Sequence, residues 1–415
     1  MVDKKMESFF KVKRTEEVFK ILRQFAPSGE ERVSLEQALG RVLSEDLLAR
    51  ENLPGFYRST MDGYAVRAKG TFGATESIPA LFEVKGEVLM GESPTMVVGE
   101  GQAAKISTGG MLPEGTDGVV MVEYCHHLDD KTLEVSRAIS PLENVIQPGD
   151  DYREGTTVFQ KGRLLRVQDL GLLAGFGQSE VVVYKKPTVA VISTGDEVVP
   201  VEAEPLPGQV RDINLYTLGA FCRRAGAEVV YSGRSSDDFK TLKRMVEEAL
   251  EQADTLWLSG GSSVGTRDLT LKVFKSLPDF ELLVHGISIS PGKPTIIGKS
   301  GSKPVIGLPG HVASALVVAE VFLTPLLLHL SGCRDDLSYP KPQVEAELGR
   351  NIESASGRED YVRVRLTRKD DVTIAEPVFG KSGLLSTLIE ADGLVRIEMN
   401  KEGLYRGEKV KVLLI

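Results

Sequence analysis

The chain has 415 residues, a formal net charge of −9 and a pI near 5.4, long enough for about three cores at roughly 150 residues each. Its 41% hydrophobic and 26% charged residues exclude a disordered chain. The acidic balance argues against a sequence-independent grip on nucleic acid, which needs clustered Lys and Arg, yet leaves room for a small anion held by a few amides and cations.

The opening stretch MVDKKMESFFKVKR lacks an apolar core and a small-residue cleavage site, so no secretory signal is expected. A helix follows, with Val18, Ile21, Leu22 and Phe25 on one stripe and Thr15, Glu16 and Glu17 at its start. SLEQALGRVL reads as a second helix. From Glu51 to Ser140 short β-rich runs such as AKIST and GVVMVEY alternate with turn signals such as LPEGTDG, which predicts a β domain. NVIQPGDDYREGTTVFQKG is turn-rich and VQDLGLLAGFG reads as a short helix. Packing of this segment on the N-terminal helices would make the β domain an insertion.

Strand and helix alternate from Val181 to Leu330. VVVYKKPTVAVIST ends in a strand, NLYTLGAFCRRAG is a helix closed by Gly226, and EVVYSG is a strand. FKTLKRMVEEALEQ is an amphipathic helix with Leu242, Met245, Val246, Ala249 and Leu250 on one face. DTLWLSGG and KPVIGLPG are strands and ASALVVAEVF a helix. This alternation predicts a mostly parallel sheet covered on both faces, with ligands beyond the carboxyl ends of its strands. The apolar run Val312 to Leu330 carries Glu320, Pro325 and His329 and reads as a core helix, not a membrane span. From Ser331, YVRVRL, LVRIEM and KVKVLLI alternate apolar with charged residues, as in a small barrel or sandwich. Cys125, Cys222 and Cys333 are far apart with no CxxC pair. Neither a zinc site nor a disulfide framework is expected, and a reducing, cytoplasmic compartment is.

Three loops follow strand ends in the α/β region. Ser193-Thr194-Gly195-Asp196-Glu197 sets two carboxylates side by side, which a hard cation such as Mg²⁺ would hold; an acidic turn is the plain alternative. Ser259-Gly260-Gly261-Ser262-Ser263-Val264-Gly265-Thr266-Arg267-Asp268 offers amides and hydroxyls to an anion, with Asp268 available to a metal. Gly307-Leu308-Pro309-Gly310-His311, with Ser314 beyond, suits an anion at a helix start or is simply a helix-initiating turn. Ser290-Pro291-Gly292-Lys293-Pro294 adds a cation on a stiff loop, for phosphate or oxyanion or for solvent. In the β region Thr60 to Ala65, Ser107 to Gly110 and Gly149-Asp150-Asp151 read as turns, and the pair His126-His127 as a surface turn. Gly380-Lys381-Ser382 and Gly298-Lys299-Ser300 mimic a P-loop end, but Ala375 and Lys293 stand where its first glycine belongs, and no G-x-S-x-G elbow occurs.

In order, MDGYAVR, STGGMLPEGTDGVVMVE, NVIQPGDD, VAVISTGDEVVP, LSGGSSVGTRD, SPGKP, GLPGH…SA and GKSG resemble the MoeA family over nearly the whole chain. The resemblance implies four domains. Residues 1–50 with 141–180 form a helical and extended linker domain, and 51–140 an inserted β domain. Residues 181–330 form a doubly wound, mostly parallel α/β domain of the molybdenum-cofactor-binding type, like the MogA adenylyltransferase, and 331–415 a C-terminal β-barrel-like domain. It implies an elongated homodimer in which adenylylated molybdopterin and molybdate meet between the central domain of one subunit and the β domain of its mate. Mg²⁺ assists hydrolysis of the adenylate, molybdenum enters the dithiolene and AMP leaves. By the same resemblance Asp196, Glu197, Asp237 and Asp268 are the central acids, with Glu197, Asp237 and Asp268 on the metal. Thr194, Gly195 and the loops named above hold the cofactor, and Asp62, Thr108, Asp151 and Ser382 reach the site from neighbouring domains. A MogA-like adenylyltransferase and molybdoenzyme apo-proteins are the implied partners, with neither nucleic acid nor membrane.

Ser290 stands where many members carry lysine, Gly286 where some carry a second, and His311-Val312 replaces Asn-Pro. These changes lower the positive charge and alter a turn at the expected oxyanion site, where His311 can replace a donor. Tungstate shares molybdate's charge and shape and is an equal candidate. Two other functions fit the same fold. A non-catalytic scaffold, as in the gephyrin-like branch, would carry an added N-terminal domain and linker. A CinA-like nucleotide hydrolase leaves the DGYA β domain and the C-terminal β segment unexplained.

Overall fold

The computed structural model describes residues 12–260, 264–334 and 342–415, with residues 264–268 described by their backbone alone. The chain forms two compact units. One comprises Met1–Glu45, Lys161–Arg166 and Glu180–Ile415, the other Asp46–Gln160 and Val167–Ser179.

The first unit is organised around a sheet of β1 (Thr188–Thr194), β2 (Glu228–Ser235), β3 (Thr255–Gly260), β4 (Phe280–His285), β5 (Ile296–Ser300) and β6 (Lys303–Leu308). Their order is β2-β1-β3-β6-β5-β4. The first four run parallel, and β5 and β4 complete an antiparallel edge. β1 is almost wholly buried because helices cover both of its faces. Its odd residues Val189 and Val191 join Trp257 and Ile306 in one core, and its even residues Ala190 and Ile192 join Leu256, Leu258 and Val305 in another.

α1 (Asn214–Arg224) lays Leu218, Phe221 and Cys222 on the first core and ends where Gly226 takes φ 83°. α2 (Phe239–Gln252) lays Leu242, Val246 and Ala249 on the second, and the Asp238 carboxylate caps it by accepting from Thr241 N at 2.8 Å. α3 spans Val264–Lys275. The apolar run is one continuous helical segment: α4 (Val312–Val318), a π-helical turn Ala319–Leu323, and α5 (Thr324–Leu330). Its mean hydropathy of 1.9 would suit a membrane span, but 78% of that window is buried inside the fold. It is a core helix, with Glu320 of the π turn paired to Arg224.

The N-terminal helix spans Thr15–Leu22 and brings Val18, Leu22 and Phe25 to the first core. SLEQALGRVL is not a helix. Only Leu35–Gln37 makes a 3₁₀ turn, because Val42 and Leu43 are bridged to Leu164 and Val183 and hold the end of the stretch extended. Gly40 at φ 71° then turns the chain, and Arg41 is buried against Glu31 and the Tyr184 carbonyl. In the C-terminal region Gln343–Leu348, Glu359–Lys369, Val372–Pro377, Gly393–Ile397 and Lys409–Leu414 close into a five-stranded barrel, sealed by the pairing of Glu359–Lys369 with Gly393–Ile397.

The second unit holds a six-stranded sheet. Its strand order is Gly118–Met121, Gly63–Val66, Gln102–Ile106, Ala80–Val88, Thr132–Val135, Cys125–His127. Val167–Gly175 is the short helix the sequence predicts. The pair His126-His127 lies on a strand, not a turn, and His127 Nε2 meets the Tyr64 hydroxyl at 2.7 Å.

Candidate active site

The carboxyl ends of β1, β3 and β6 carry the loops singled out in the sequence. After β1, Gly195 leads to Asp196 and Glu197, both exposed. Asp237, just past β2, closes back on them. Its carboxylate accepts from Thr194 Oγ1 at 2.7 Å, and its N–H donates to Asp196 Oδ1 at 3.0 Å. Burial holds the Asp237 carboxyl above its ordinary range, the Thr194 hydroxyl opposes this, and the charges of Asp196 and Glu197 push the same way as burial. An all-oxygen donor set that repels itself in this way fits a hard divalent cation, which would relieve the repulsion. Among the described residues no three such side chains already stand in ligand geometry. The Asp268 side chain lies outside the described residues, as do Gly261, Ser262 and Ser263, and Gly265 falls inside α3 rather than in a loop.

The other loops meet around a pocket of about 350 Å³, near the lower end of the size of small-ligand sites. Gly260, Lys293, Pro309, Gly310, His311, Ser314 and Ser382 all line it, drawn from four separate segments. Ser290 and Arg358 line it too, brought side by side because Ile289–Ser290 pairs with Glu359–Asp360 of the barrel. No carboxylate lines it among the described residues. Arg358 Nε donates to Asp360 Oδ1 at 2.8 Å, which fixes the guanidinium at the rim. The Ser382 hydroxyl and His311 Nδ1 are 3.0 Å apart, and Ala313 N donates to the Ser382 carbonyl at 3.3 Å, so the barrel loop rests on the start of α4.

Two glycines make these approaches possible. A Cβ on Gly260 would stand 2.1 Å from Thr194 Cγ2, so only glycine lets β3 end against the acidic loop while also lining the pocket. Gly292 takes φ 117°, and a Cβ there would meet Val318 Cγ2 at 2.6 Å, so only glycine seats the Lys293 loop on α4.

In the second unit Asp62 accepts from both Thr108 N (2.7 Å) and Thr108 Oγ1 (3.1 Å), bonds that hold its carboxyl below its ordinary range. Asp151 sits in a different turn, its N–H on the Leu53 carbonyl at 3.0 Å. Sequence reasoning missed Arg358, Asp212 and Asn214. The signal for Asp212 was there: a carboxylate three residues before Leu215, whose N–H it caps at 3.0 Å.

Known proteins match this chain along its length. The profile of the MoeA N-terminal region (domains I and II) matches residues 13–177, that of a probable molybdopterin-binding domain 190–329, and that of the MoeA C-terminal region (domain IV) 345–415. A putative molybdopterin biosynthesis protein of Methanocaldococcus jannaschii is 34% identical over 391 residues, 92% of each chain. A molybdopterin molybdenumtransferase of Staphylococcus aureus is 29% identical over 384 residues, 92% of this chain and 90% of its own. Two crystal structures of MoeA proteins from Pyrococcus horikoshii superpose with TM-scores of 0.80 and 0.79 at 38% and 30% identity, covering 97% and 98% of this chain and 99% and 100% of theirs. On a sheet, a closed barrel and an inserted β domain that all agree with these relatives, the chain belongs to the MoeA family.

Proposed function

We propose that this chain is a molybdopterin molybdenumtransferase, which moves molybdenum from its oxyanion onto the dithiolene of adenylylated molybdopterin with release of AMP. The observation that carries this reading is a pocket lined by Lys293, Arg358 and three serine hydroxyls, with no carboxylate among the described residues, joined at Gly260 to an acidic loop. One half suits a tetrahedral dianion and the other a cation-assisted phosphoanhydride. The substrate supplies the sulfur, and two of the three thiols are poor metal ligands: burial pushes both Cys125 and Cys222 up to about 12.

Glu197, Asp237 and Asp268, with Asp196 beside them, would hold Mg²⁺, which when bound offsets charge on the anhydride as AMP departs. The chain's own residues then have separable tasks. Thr194 fixes the rotamer of Asp237. Gly260 presents its backbone between the two halves. Lys293 and Arg358 oppose the charge of the oxyanion, and His311 and Ser382 close the pocket's barrel side. The finer parts of the reading are that Asp62, Thr108 and Asp151 take part from the inserted β domain and that the working form is a homodimer.

The test is reconstitution with adenylylated molybdopterin, Mg²⁺ and either molybdate or tungstate, following AMP and pterin-bound metal together. Coupled AMP release and insertion is the expected result, and the preferred oxyanion names the metal. Tight pterin binding with no AMP would replace the enzyme by a binding module. Glu197→Gln should lower turnover by ~10²-fold while leaving the fold intact. Wild-type rates in that variant would remove Glu197 from the chemistry.

A further inference from the structure

The three loops of the site are tied together from below by two residues at the start of α1. Asp212, only 6% exposed, accepts from Leu215 N with one oxygen and from the Ser193 hydroxyl at the end of β1 with the other. Asn214 Nδ2 donates to Ser259 Oγ at 2.8 Å, at the end of β3, and to the Gly310 carbonyl at 2.7 Å, in the turn after β6. Ser259 Oγ passes the contact on to the Pro309 carbonyl at 3.3 Å. Both amide hydrogens are therefore spent on bridging β3 to the β6 turn. The Asn214 Oδ1 atom is buried and has no partner. Exchanging Oδ1 and Nδ2 would set an oxygen against the Gly310 carbonyl, so the orientation is dictated by the donors. A buried acceptor left unsatisfied is unfavourable, and a side chain that tolerates it is there for its two donated bonds.

We propose that Asn214 is a positioning residue for the oxyanion. Its carboxamide sets the gap between Gly260 and Gly310, two of the backbone walls of the pocket, without touching the ligand. This rests on the reading of that pocket as the oxyanion site. Asp212 does the corresponding work for the acidic loop by holding Ser193, one residue before Thr194. The α1 start thus fixes the spacing between the two halves of the site.

The test uses full-length protein with the Asn214→Asp and Asn214→Ala variants beside Lys293→Ala. Equilibrium dialysis with molybdate alone gives binding, and steady-state insertion gives KM for molybdate and kcat. Asn214→Asp keeps the shape but loses both donated bonds, to Ser259 Oγ and to the Gly310 carbonyl, and adds a negative charge. It should raise the molybdate dissociation constant and KM by tenfold or more and leave kcat at saturating molybdate within about twofold. Asn214→Ala should raise both by a smaller factor. A residue that merely held the fold would lower the active fraction, hence kcat, and leave KM alone, and that outcome overturns the proposal. Wild-type dialysis separates the two levels. No molybdate binding by the wild type, or none lost in Lys293→Ala, sinks the oxyanion pocket itself. Binding lost in Lys293→Ala but unchanged in both Asn214 variants sinks only the positioning role.

Discussion

At the level of single residues, one carboxyl of the larger unit dislikes its charge and one of the smaller unit favours it. Asp237 is raised by burial and by Asp196 and Glu197, so the stability it contributes is present below the unfolded-state value near 3.8 and is lost as pH rises through its higher folded value. In metal-free protein near neutral pH the ionised group therefore opposes folding. Asp237→Asn should raise the melting temperature there by a degree or two, the scale of ~0.5 kcal/mol for a partly exposed charge. The same change should cancel any stabilisation that Mg²⁺ gives the wild type. Thermal scans with and without Mg²⁺ check both, and a destabilised Asn variant would count against the repulsion. Asp62 is the opposite case. Thr108 lowers it, so its contribution is present above 3.8 and fades as pH falls through the lower folded value. Thr108→Val removes the hydroxyl bond but keeps the N–H bond, so the Asp62 carboxyl, followed by NMR titration, should move up towards its ordinary value without reaching it. An unmoved titration would mean that the hydroxyl contributes nothing.

At the level of elements, what could be read from the sequence was whatever depended on local pattern. The spacing of Leu242, Val246 and Ala249 placed α2, and the continuous apolar runs of β1 and β3 announced a sheet buried on both faces. SLEQALGRVL shows the limit. Its spacing is helical, but the bridges of Val42 to Leu164 and of Leu43 to Val183 override it, and no local signal carries partners that remote. Arg358 was missed for the same reason, since it reaches the pocket only through the pairing of Ile289–Ser290 with the barrel. The loop Ser290–Pro294 is legible as stiff, but why it needs Gly292 is not, because the reason lies in α4. Gly292→Ala must find room where Val318 Cγ2 and Ile289 Cδ1 would be 2.6 and 2.8 Å away, at a φ that alanine avoids. A loss of more than ~1 kcal/mol is expected from the backbone alone. Lys293 should shift with the loop, so molybdate KM should rise together with the loss of stability. Chemical denaturation and kinetics on one preparation test the coupling, and a destabilised variant with unchanged KM would separate Lys293 from the loop's seating.

For the molecule as a whole, the distribution of cores determines what unfolds together. One core takes in Val18 and Leu22 of the N-terminal helix, Trp257 and Ile306 of the sheet, Phe322 of the π turn and Tyr361 and Leu394 of the barrel. Segments far apart in sequence thus share one hydrophobic interior, and the barrel walls of the pocket are not separable from the sheet that carries the acids. The cores of the inserted β domain are of a different kind. Tyr64, Phe82, Val120 and Leu133 on one face and Ala65, Ile106 and Val119 on the other are drawn from that domain alone. Cooperativity follows shared burial, so two transitions are expected. Phe322→Ala, which empties a fully buried site, should cost ~3–5 kcal/mol and lower only the transition of the larger unit. Leu133→Ala should cost ~2–5 kcal/mol and lower only the other. Differential scanning calorimetry resolves the two. If either variant moves both transitions equally, the chain folds as a single cooperative body, and the inserted domain is coupled to the pocket more tightly than its separate cores imply.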